Sequence, residues 1–190
     1  YEYRTNKSGT WSTVKEYKMS DAIKSENWDF ISLQQASGSS GIANTYANLQ
    51  YMIDYVSELA PESKLVFNMT WAYQQDTTKA DFANYNKNQM TMYNAIVSTV
   101  KSKIATKPVF AHIIPSGTAV QNARTSLIGD NMTRDGYHMS KPHGRYLVAC
   151  TWVEKILGCN VKGNPYCPEG MTVQECRLAQ KAAHAAVRKP

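Results

Sequence analysis

The length, composition and charge of the chain narrow the classes of protein to which it can belong. Its 190 residues fit one domain with a sizeable core, and 43% hydrophobic with 19% charged residues indicate a globular rather than a disordered chain. No apolar run approaches the roughly 20 residues that span a bilayer. The Lys and Arg residues behind the net charge of +6 are scattered, so we expect neither a membrane nor a nucleic acid as partner.

The predicted elements alternate between strands and helices. Near the N-terminus, two short strands flank the Gly-containing "TNKSG" and predict a hairpin, after which Ser20 predicts the N-cap of a short helix. Apolar runs typical of buried parallel strands occur in "WDFISLQQ", "KLVFNMTW" and "KPVFAHIIP". Helical spacing occurs in "ANTYANLQYMIDYVSEL", "FANYNKNQMTMYNAIVSTVKSKI", "GTAVQNARTSL", residues 143–157 and "TVQECRLAQKAAHAAVR". This order predicts an α/β fold with a mostly parallel sheet.

A polar loop before residue 143 contains Asp135 and His138, three residues apart. Active sites of α/β proteins form beyond the carboxyl ends of the parallel strands, and this loop belongs to that edge of the sheet. A histidine base needs a carboxylate on one ring nitrogen and a free second nitrogen, and a turn can bring these two side chains together. The alternative is a surface Asp and a surface His with no common role.

Four further residues at the predicted strand ends are candidates for binding. Gln34 and Gln35 end a buried strand, where a side-chain amide could donate to an oxyanion or hold a sugar hydroxyl; alternatively, it only caps strand-end carbonyls. Trp71 and Tyr73 lie at the end of the next strand and could form an aromatic platform for a sugar ring, or could serve only in packing.

The other motifs favour structural roles. Residues 37–41, "SGSSG", could bind an anion through backbone N–H groups, but we favour a flexible turn in which a serine caps the next helix. We expect His112 in the core, His143 at a helix cap or in solvent, and His184 exposed.

The four cysteines all lie at or after residue 150 and do not have the spacing of a metal site, so no metal is expected. Cys150 lies in a predicted helix and is interpreted as a small buried apolar residue. Cys159 and Cys167 flank a Gly/Pro-containing loop that a disulfide could close, which would indicate an oxidising compartment. This pairing is an expectation, and the sequence leaves the pairing among the four cysteines open.

The segment "DGYHMSKPHGRYLVA" resembles the last block of SGNH-type (GDSL-like) esterases, and "WDFISLQQASGSSG", "TWAY" and "IIPSGTAVQNAR" are similar to a bacterial branch of that superfamily. The resemblance covers residues 1–158; residues 159–190 form a Cys-containing loop and a helix that pack on or extend the same domain. It implies a flavodoxin-like α/β/α fold in which His138 is the base and Asp135 orients it. The usual Asn-type oxyanion donor is replaced here, so Gln34 or Gln35 would have to serve.

The resemblance places the serine nucleophile after a first strand, upstream of Tyr1. Ser37, Ser39 and Ser40 lack the strand–turn–helix context that exposes a nucleophile, so we expect a sheet without its first strands and a natural protein with a further N-terminal segment. The expected function is serine-dependent hydrolysis of a carbohydrate O-acyl ester, with acetyl as the acyl group, without metal or organic cofactor, in a secreted or periplasmic bacterial protein. The alternative is a catalytically incomplete module that binds glycans through Trp71, Tyr73 and the strand-end amides.

Overall fold

The computed structural model describes residues 1–189 and has a mixed α/β architecture. The strands are β1 (Tyr3–Lys7), β2 (Thr10–Val14), β3 (Phe30–Leu33), β4 (Lys64–Asn68) and β5 (Phe110–Ile114). The α-helices are α1 (Met19–Lys24), α2 (Leu49–Leu59), α3 (Gln89–Lys103), α4 (Ser116–Arg124), α5 (His143–Leu157) and α6 (Val173–Arg188). Short 3₁₀ helices occupy Ser37–Ser39, Ala43–Tyr46 and Ala80–Tyr85.

Strands β3, β4 and β5 form a parallel sheet with β4 in the middle, and β1 and β2 form a separate antiparallel hairpin. Successive side chains of a strand point to opposite faces. In β4 the neighbours Leu65, Val66 and Phe67 are all less than 5% exposed, so both faces of the sheet are covered at its centre. The predicted α/β fold with a parallel sheet is therefore confirmed, as is the N-terminal hairpin.

Two apolar cores stabilise the molecule. The first lies against β4 and includes Ile53 of α2 and Ile96 of α3. The second joins α4, α5 and α6, in which Leu147 and the small Ala179 and Ala183 are completely buried. Because alanines line the buried face of α6, this helix approaches α4 and α5 closely, and residues beyond 158 pack onto the earlier part of the chain.

Three predicted helix starts are wrong. The first helix begins at Met19 after Lys18, so Ser20 is inside it and not its cap. Helix α3 begins at Gln89 because Asn86 adopts a left-handed conformation (φ 55°) that ends the preceding 3₁₀ turn; Asn88 then caps α3. Helix α2 begins at Leu49, after another 3₁₀ turn. Apolar spacing continues through such turns, so it does not locate them.

The disulfide joins Cys167 to Cys176, with 5.9 Å between the Cα atoms, and the predicted Cys159–Cys167 pairing is wrong. Gln180 of α6 hydrogen-bonds the backbone of residues 163 and 164, so α6 lies along this loop and brings Cys176 to Cys167. Cys159 is an exposed free thiol, and Cys150 is buried as predicted.

Within residues 1–189, no helix combines the length and the apolar character needed to cross a membrane.

Candidate functional site

Asp135 and His138 form a tight acid–histidine pair on the loop before α5. His138 Nδ1 lies 2.7 Å from Asp135 Oδ2, and Asp135 Oδ1 accepts from the backbone N–H of His138 at 2.8 Å. The backbone of Arg134 donates to the carbonyl of His138 at 2.9 Å and closes the turn that brings the two side chains together. The His138 side chain is 51% exposed, and no atom of the described residues hydrogen-bonds its Nε2.

The charge of this pair is defined by its hydrogen bonds. The His138 ring, and then the backbone N–H groups of His138 and Tyr137, lower the pKa of Asp135 from 3.8 to about 2. Asp135 is therefore ionised at neutral pH and holds the histidine proton on Nδ1. That tautomer leaves the lone pair of Nε2 facing solvent, free to accept a proton.

The chain that follows β4 holds this loop in place. The indole of Trp71 donates to the carbonyl of Tyr137 at 2.7 Å, and the backbone of Gln74 donates to the carbonyl of Gly136 at 2.8 Å. Gly136 has a φ of +87°, and a Cβ there would lie 2.3 Å from Thr77 Oγ1, so only glycine fits. The positive φ and the close approach of Thr77 therefore both require glycine at this position between Asp135 and His138.

Asp130, which no sequence motif marks as a site residue, anchors the base of the same loop. Its carboxylate accepts from Arg124 Nε at 2.7 Å, from Gln89 Nε2 at 2.8 Å and from the backbone of Gln75 at 2.9 Å. These donors belong to α4, to α3 and to the segment after β4, which are far apart in the sequence. No spacing within the sequence could have revealed this arrangement.

The two candidate glutamines have different surroundings. Gln35 donates from Nε2 to the carbonyl of Thr45 and accepts at Oε1 from the backbone of Ala36, so both ends of its amide are used within the fold. Gln34 is exposed and accepts at Oε1 from Asn68 Nδ2 at 2.9 Å. Its Nε2 has no hydrogen-bond partner among the described residues. Of the two, only Gln34 has free donors at the carboxyl edge of the sheet.

The aromatic candidates do not form an open platform. Tyr73 is 1% exposed, its hydroxyl donates to Asp81 Oδ2 at 3.0 Å, and its ring contacts the edge of Tyr137. Burial raises the pKa of Tyr73 to about 12, so it stays protonated as a donor. The proposed sugar-stacking role of Tyr73 is therefore wrong, because neither face of its ring is accessible. Trp71 is partly buried and positions Tyr137, beside His138.

The Gly/Ser-rich segment after Gln35 is a packed turn. Ser40 is 2% exposed and its hydroxyl donates to the carbonyl of Ser37, so no serine caps the following helix. Gly38 packs directly on Asp81, since a Cβ there would lie 1.9 Å from the carboxylate. The predicted flexible turn with a serine cap is therefore wrong. Ser37 lies 3.3 Å from the Tyr73 hydroxyl.

The other histidines lie apart from this pair. His184 Nδ1 lies 2.7 Å from Glu154 Oε1 and its side chain is only 20% exposed, so the prediction of an exposed residue is wrong. His143, at the start of α5, lies 3.1 Å from Glu175 Oε1. His112 is partly buried in β5. Among the described residues, no three His, Cys, Asp or Glu side chains cluster in a way that could hold a metal ion.

Comparisons with known proteins identify one family. The protein-family model described as a domain of unknown function, DUF4886, matches residues 1–186. A crystal structure of a DUF4886 family protein from Bacteroides uniformis is 45% identical to this chain, with a TM-score of 0.93. The alignment covers 100% of this chain and 74% of the Bacteroides uniformis chain. No curated protein matches the sequence.

Proposed function

We propose that this chain, which belongs to the DUF4886 family, carries the acid–base machinery of a serine-dependent ester hydrolase. The observation that carries the proposal is the Asp135–His138 pair, in which Nδ1 is held at 2.7 Å by an ionised carboxylate and Nε2 is free. Together with the resemblance of this loop to the last block of SGNH-type esterases, the geometry supports a general base that acts on a hydroxyl nucleophile.

In the proposed reaction, His138 Nε2 takes the proton of a serine hydroxyl while that oxygen attacks the ester carbonyl. The imidazolium, stabilised by Asp135, then donates the proton to the departing alcohol, and an acyl-serine remains. Water attacks this ester in the same way, with His138 again taking a proton and returning it to the serine oxygen. The free amide of Gln34 is the proposed donor to the oxyanion in both steps. This scheme requires no metal and no organic cofactor.

The proposed substrate is a carbohydrate O-acyl ester, with acetyl as the acyl group. The His138 side chain is 51% exposed, which suits a bulky alcohol such as a sugar that stays outside the protein surface. For the binding-module alternative, the burial of Tyr73 removes half of the aromatic platform it needs. No observation on the described residues favours the binding-module alternative.

The proposed nucleophile is a serine outside residues 1–190, on a strand that would pair with β3 and complete a flavodoxin-like sheet. Strand β3 pairs with β4 along one edge, and among the described residues nothing pairs with its other edge. The Bacteroides uniformis relative is longer than this chain, which is consistent with such a segment. Of the internal serines, Ser40 is buried and Ser37 lies against Tyr73, so neither supports a nucleophilic role.

We also propose that the protein is secreted or periplasmic. The Cys167–Cys176 disulfide supports this location, because such bonds persist in oxidising compartments and are rare in the cytosol.

The test uses the complete natural protein, including any sequence upstream of Tyr1, with 4-nitrophenyl acetate and an acetylated oligosaccharide as substrates. We expect hydrolysis that His138→Ala abolishes and that His112→Ala, a matched control in β5, leaves unchanged. Fluorophosphonate labelling followed by peptide mapping should give an adduct on a serine upstream of Tyr1. An adduct within residues 1–190 would contradict the proposed position of the nucleophile, and activity that survives His138→Ala would overturn the proposed function.

A further inference from the structure

A buried chain of hydrogen bonds connects α4 to the exposed Gln34. Ser116 Oγ donates to Asn68 Oδ1 at 2.7 Å, and Asn68 Nδ2 donates to Gln34 Oε1 at 2.9 Å. Ser116 is completely buried and Asn68 is 5% exposed, whereas Gln34 lies at the surface. The three residues begin α4, end β4 and follow β3, so the chain crosses the carboxyl edge of the sheet.

The start of α4 is held close to the end of β4. The backbone N–H of Gly117 donates to the carbonyl of Met69 at 3.0 Å, and a Cβ at residue 117 would lie 2.1 Å from the carbonyl oxygen of Thr70. Only a glycine allows this approach. The close approach of α4 to the end of β4 places the Ser116 hydroxyl against the Asn68 amide and limits the space in which either group can move.

The direction of the hydrogen bonds determines which end of the Gln34 amide faces outward. Because Ser116 donates to the oxygen of Asn68, the Asn68 nitrogen faces Gln34 and requires an acceptor. Gln34 supplies its oxygen and therefore presents its NH₂ group outward, away from Asn68. A rotated Gln34 amide would place NH₂ against NH₂ and lose this hydrogen bond.

We propose that Asn68 and Ser116 are positioning residues for the ester hydrolase reaction, and that they hold the Gln34 amide with its N–H groups toward the oxyanion. This inference rests on the proposed function. As the ester carbonyl becomes tetrahedral, its oxygen gains negative charge, and a donor already oriented toward it needs no rearrangement. A freely rotating glutamine would spend part of its time with its amide oxygen toward the oxyanion. The two negative oxygens would then repel each other.

Asn68→Asp tests the orientation with almost no change in shape. Ser116 can still donate to one carboxylate oxygen, but the other oxygen now accepts from Gln34 Nε2 and turns the Gln34 oxygen outward. In the complete protein we expect kcat for 4-nitrophenyl acetate to fall by about 10²-fold with KM changed by less than about 3-fold. Asn122→Asp, the same exchange at a residue of α4, should leave kcat within about 2-fold, because Asn122 contacts α6 and not Gln34.

A double-mutant cycle separates positioning from structural damage. Gln34→Ala alone should lower kcat by about 10²-fold, and Asn68→Asp should then cost less than about 3-fold more. An equal further loss in the Gln34→Ala background would mean that Asn68 acts through the fold, which overturns the inference. If Asn68→Asp does not fold, Ser116→Ala replaces it in the cycle, with an expected loss of about 3–10-fold in kcat and none in the Gln34→Ala background.

A measurement without substrate reports the orientation directly. In the NMR spectrum, the Gln34 side-chain NH₂ protons should move downfield in Asn68→Asp, as they gain a carboxylate acceptor; unchanged shifts would overturn the inference. If His138→Ala is inactive but Asn68→Asp retains wild-type kcat, the positioning role is wrong and the proposed function stands. If His138→Ala is fully active, the proposed function fails and the positioning role fails with it.

Discussion

Two histidine–carboxylate pairs have the same 2.7 Å contact and very different surroundings. Asp135 and His138 lie on a loop, with side chains 40% and 51% exposed. Glu154 and His184 join α5 to α6, with side chains 5% and 20% exposed. In the second pair, the other carboxylate oxygen of Glu154 accepts from the buried backbone of Val161 at 3.1 Å.

The comparison shows that the contact distance does not identify a catalytic pair. The Glu154–His184 pair connects two helices and satisfies a buried N–H group, so its interactions are directed into the fold. The Asp135–His138 pair leaves one ring nitrogen facing solvent, and only such a nitrogen can reach a substrate or a nucleophile. The exposure of the histidine side chain, 51% for His138 and 20% for His184, therefore distinguishes the two pairs, and the following predictions test that distinction.

The largest effect is expected for His138→Ala in the complete protein. Removal of the proposed base should lower kcat by about 10⁴-fold or more, while the free energy of unfolding changes by no more than about 0.5 kcal/mol, since the side chain is half exposed. Ester hydrolysis and urea unfolding measure the two quantities. If the variant loses stability but keeps kcat, the role of His138 is structural, like that of His184, and the prediction is wrong.

The second effect, on stability, is expected for Glu154→Ala. This change leaves the Val161 N–H without its acceptor and removes the partner of His184, so we expect a loss of about 3 kcal/mol in the free energy of unfolding. Calorimetry would record this as a Tm lower by about 6–12 °C. Below that Tm, kcat should stay at the wild-type value. Glu154→Gln, which keeps an acceptor, should cost less; equal losses would show that the hydrogen bonds are not the cause.

The third effect concerns the disulfide that fixes the start of α6, the helix that carries His184. Replacing Cys167 and Cys176 by serine should lower the free energy of unfolding by about 2–3 kcal/mol, because the unfolded chain regains the freedom that a short closed loop removes. Urea unfolding with and without a reductant measures the effect. Cys159→Ser, at an exposed free thiol, is the matched control and should change nothing. Insensitivity of the wild type to reductant would contradict the prediction.

The smallest effect is the titration of Asp135. Its pKa in the folded protein, about 2, lies below its ordinary value of 3.8, so its contribution to stability is complete above about pH 4 and is lost as the pH falls toward 2. Carboxyl ¹³C NMR should show this depressed midpoint. In His138→Ala the midpoint should rise toward the ordinary value, because the hydrogen bond from the ring is its largest cause. A wild-type midpoint near 3.8 would contradict the paired geometry.

Much of the architecture could be predicted because its signals are local. Apolar runs predict the three parallel strands, and helical spacing predicts α5 and α6 almost to the residue. The predicted start of α3 was wrong because Asn86 and Lys87 adopt left-handed conformations, a backbone property that a hydrophobic pattern does not encode. The predicted exposure of His184 is wrong because the sequence pattern of α6 does not show that α5 packs against the side of the helix that carries His184.

The sequence by itself determined the features that depend on residues close together in the chain. These are the strands and helices, and the contact between Asp135 and His138 across one turn. The tertiary structure alone decided the links between distant residues. These are the Cys167–Cys176 disulfide, the Asp130 anchor, the Glu154–His184 pair and the chain from Ser116 through Asn68 to Gln34. A hydrogen bond needs its two atoms within about 3 Å. For residues far apart in the sequence, only the packing of the sheet and helices brings them that close.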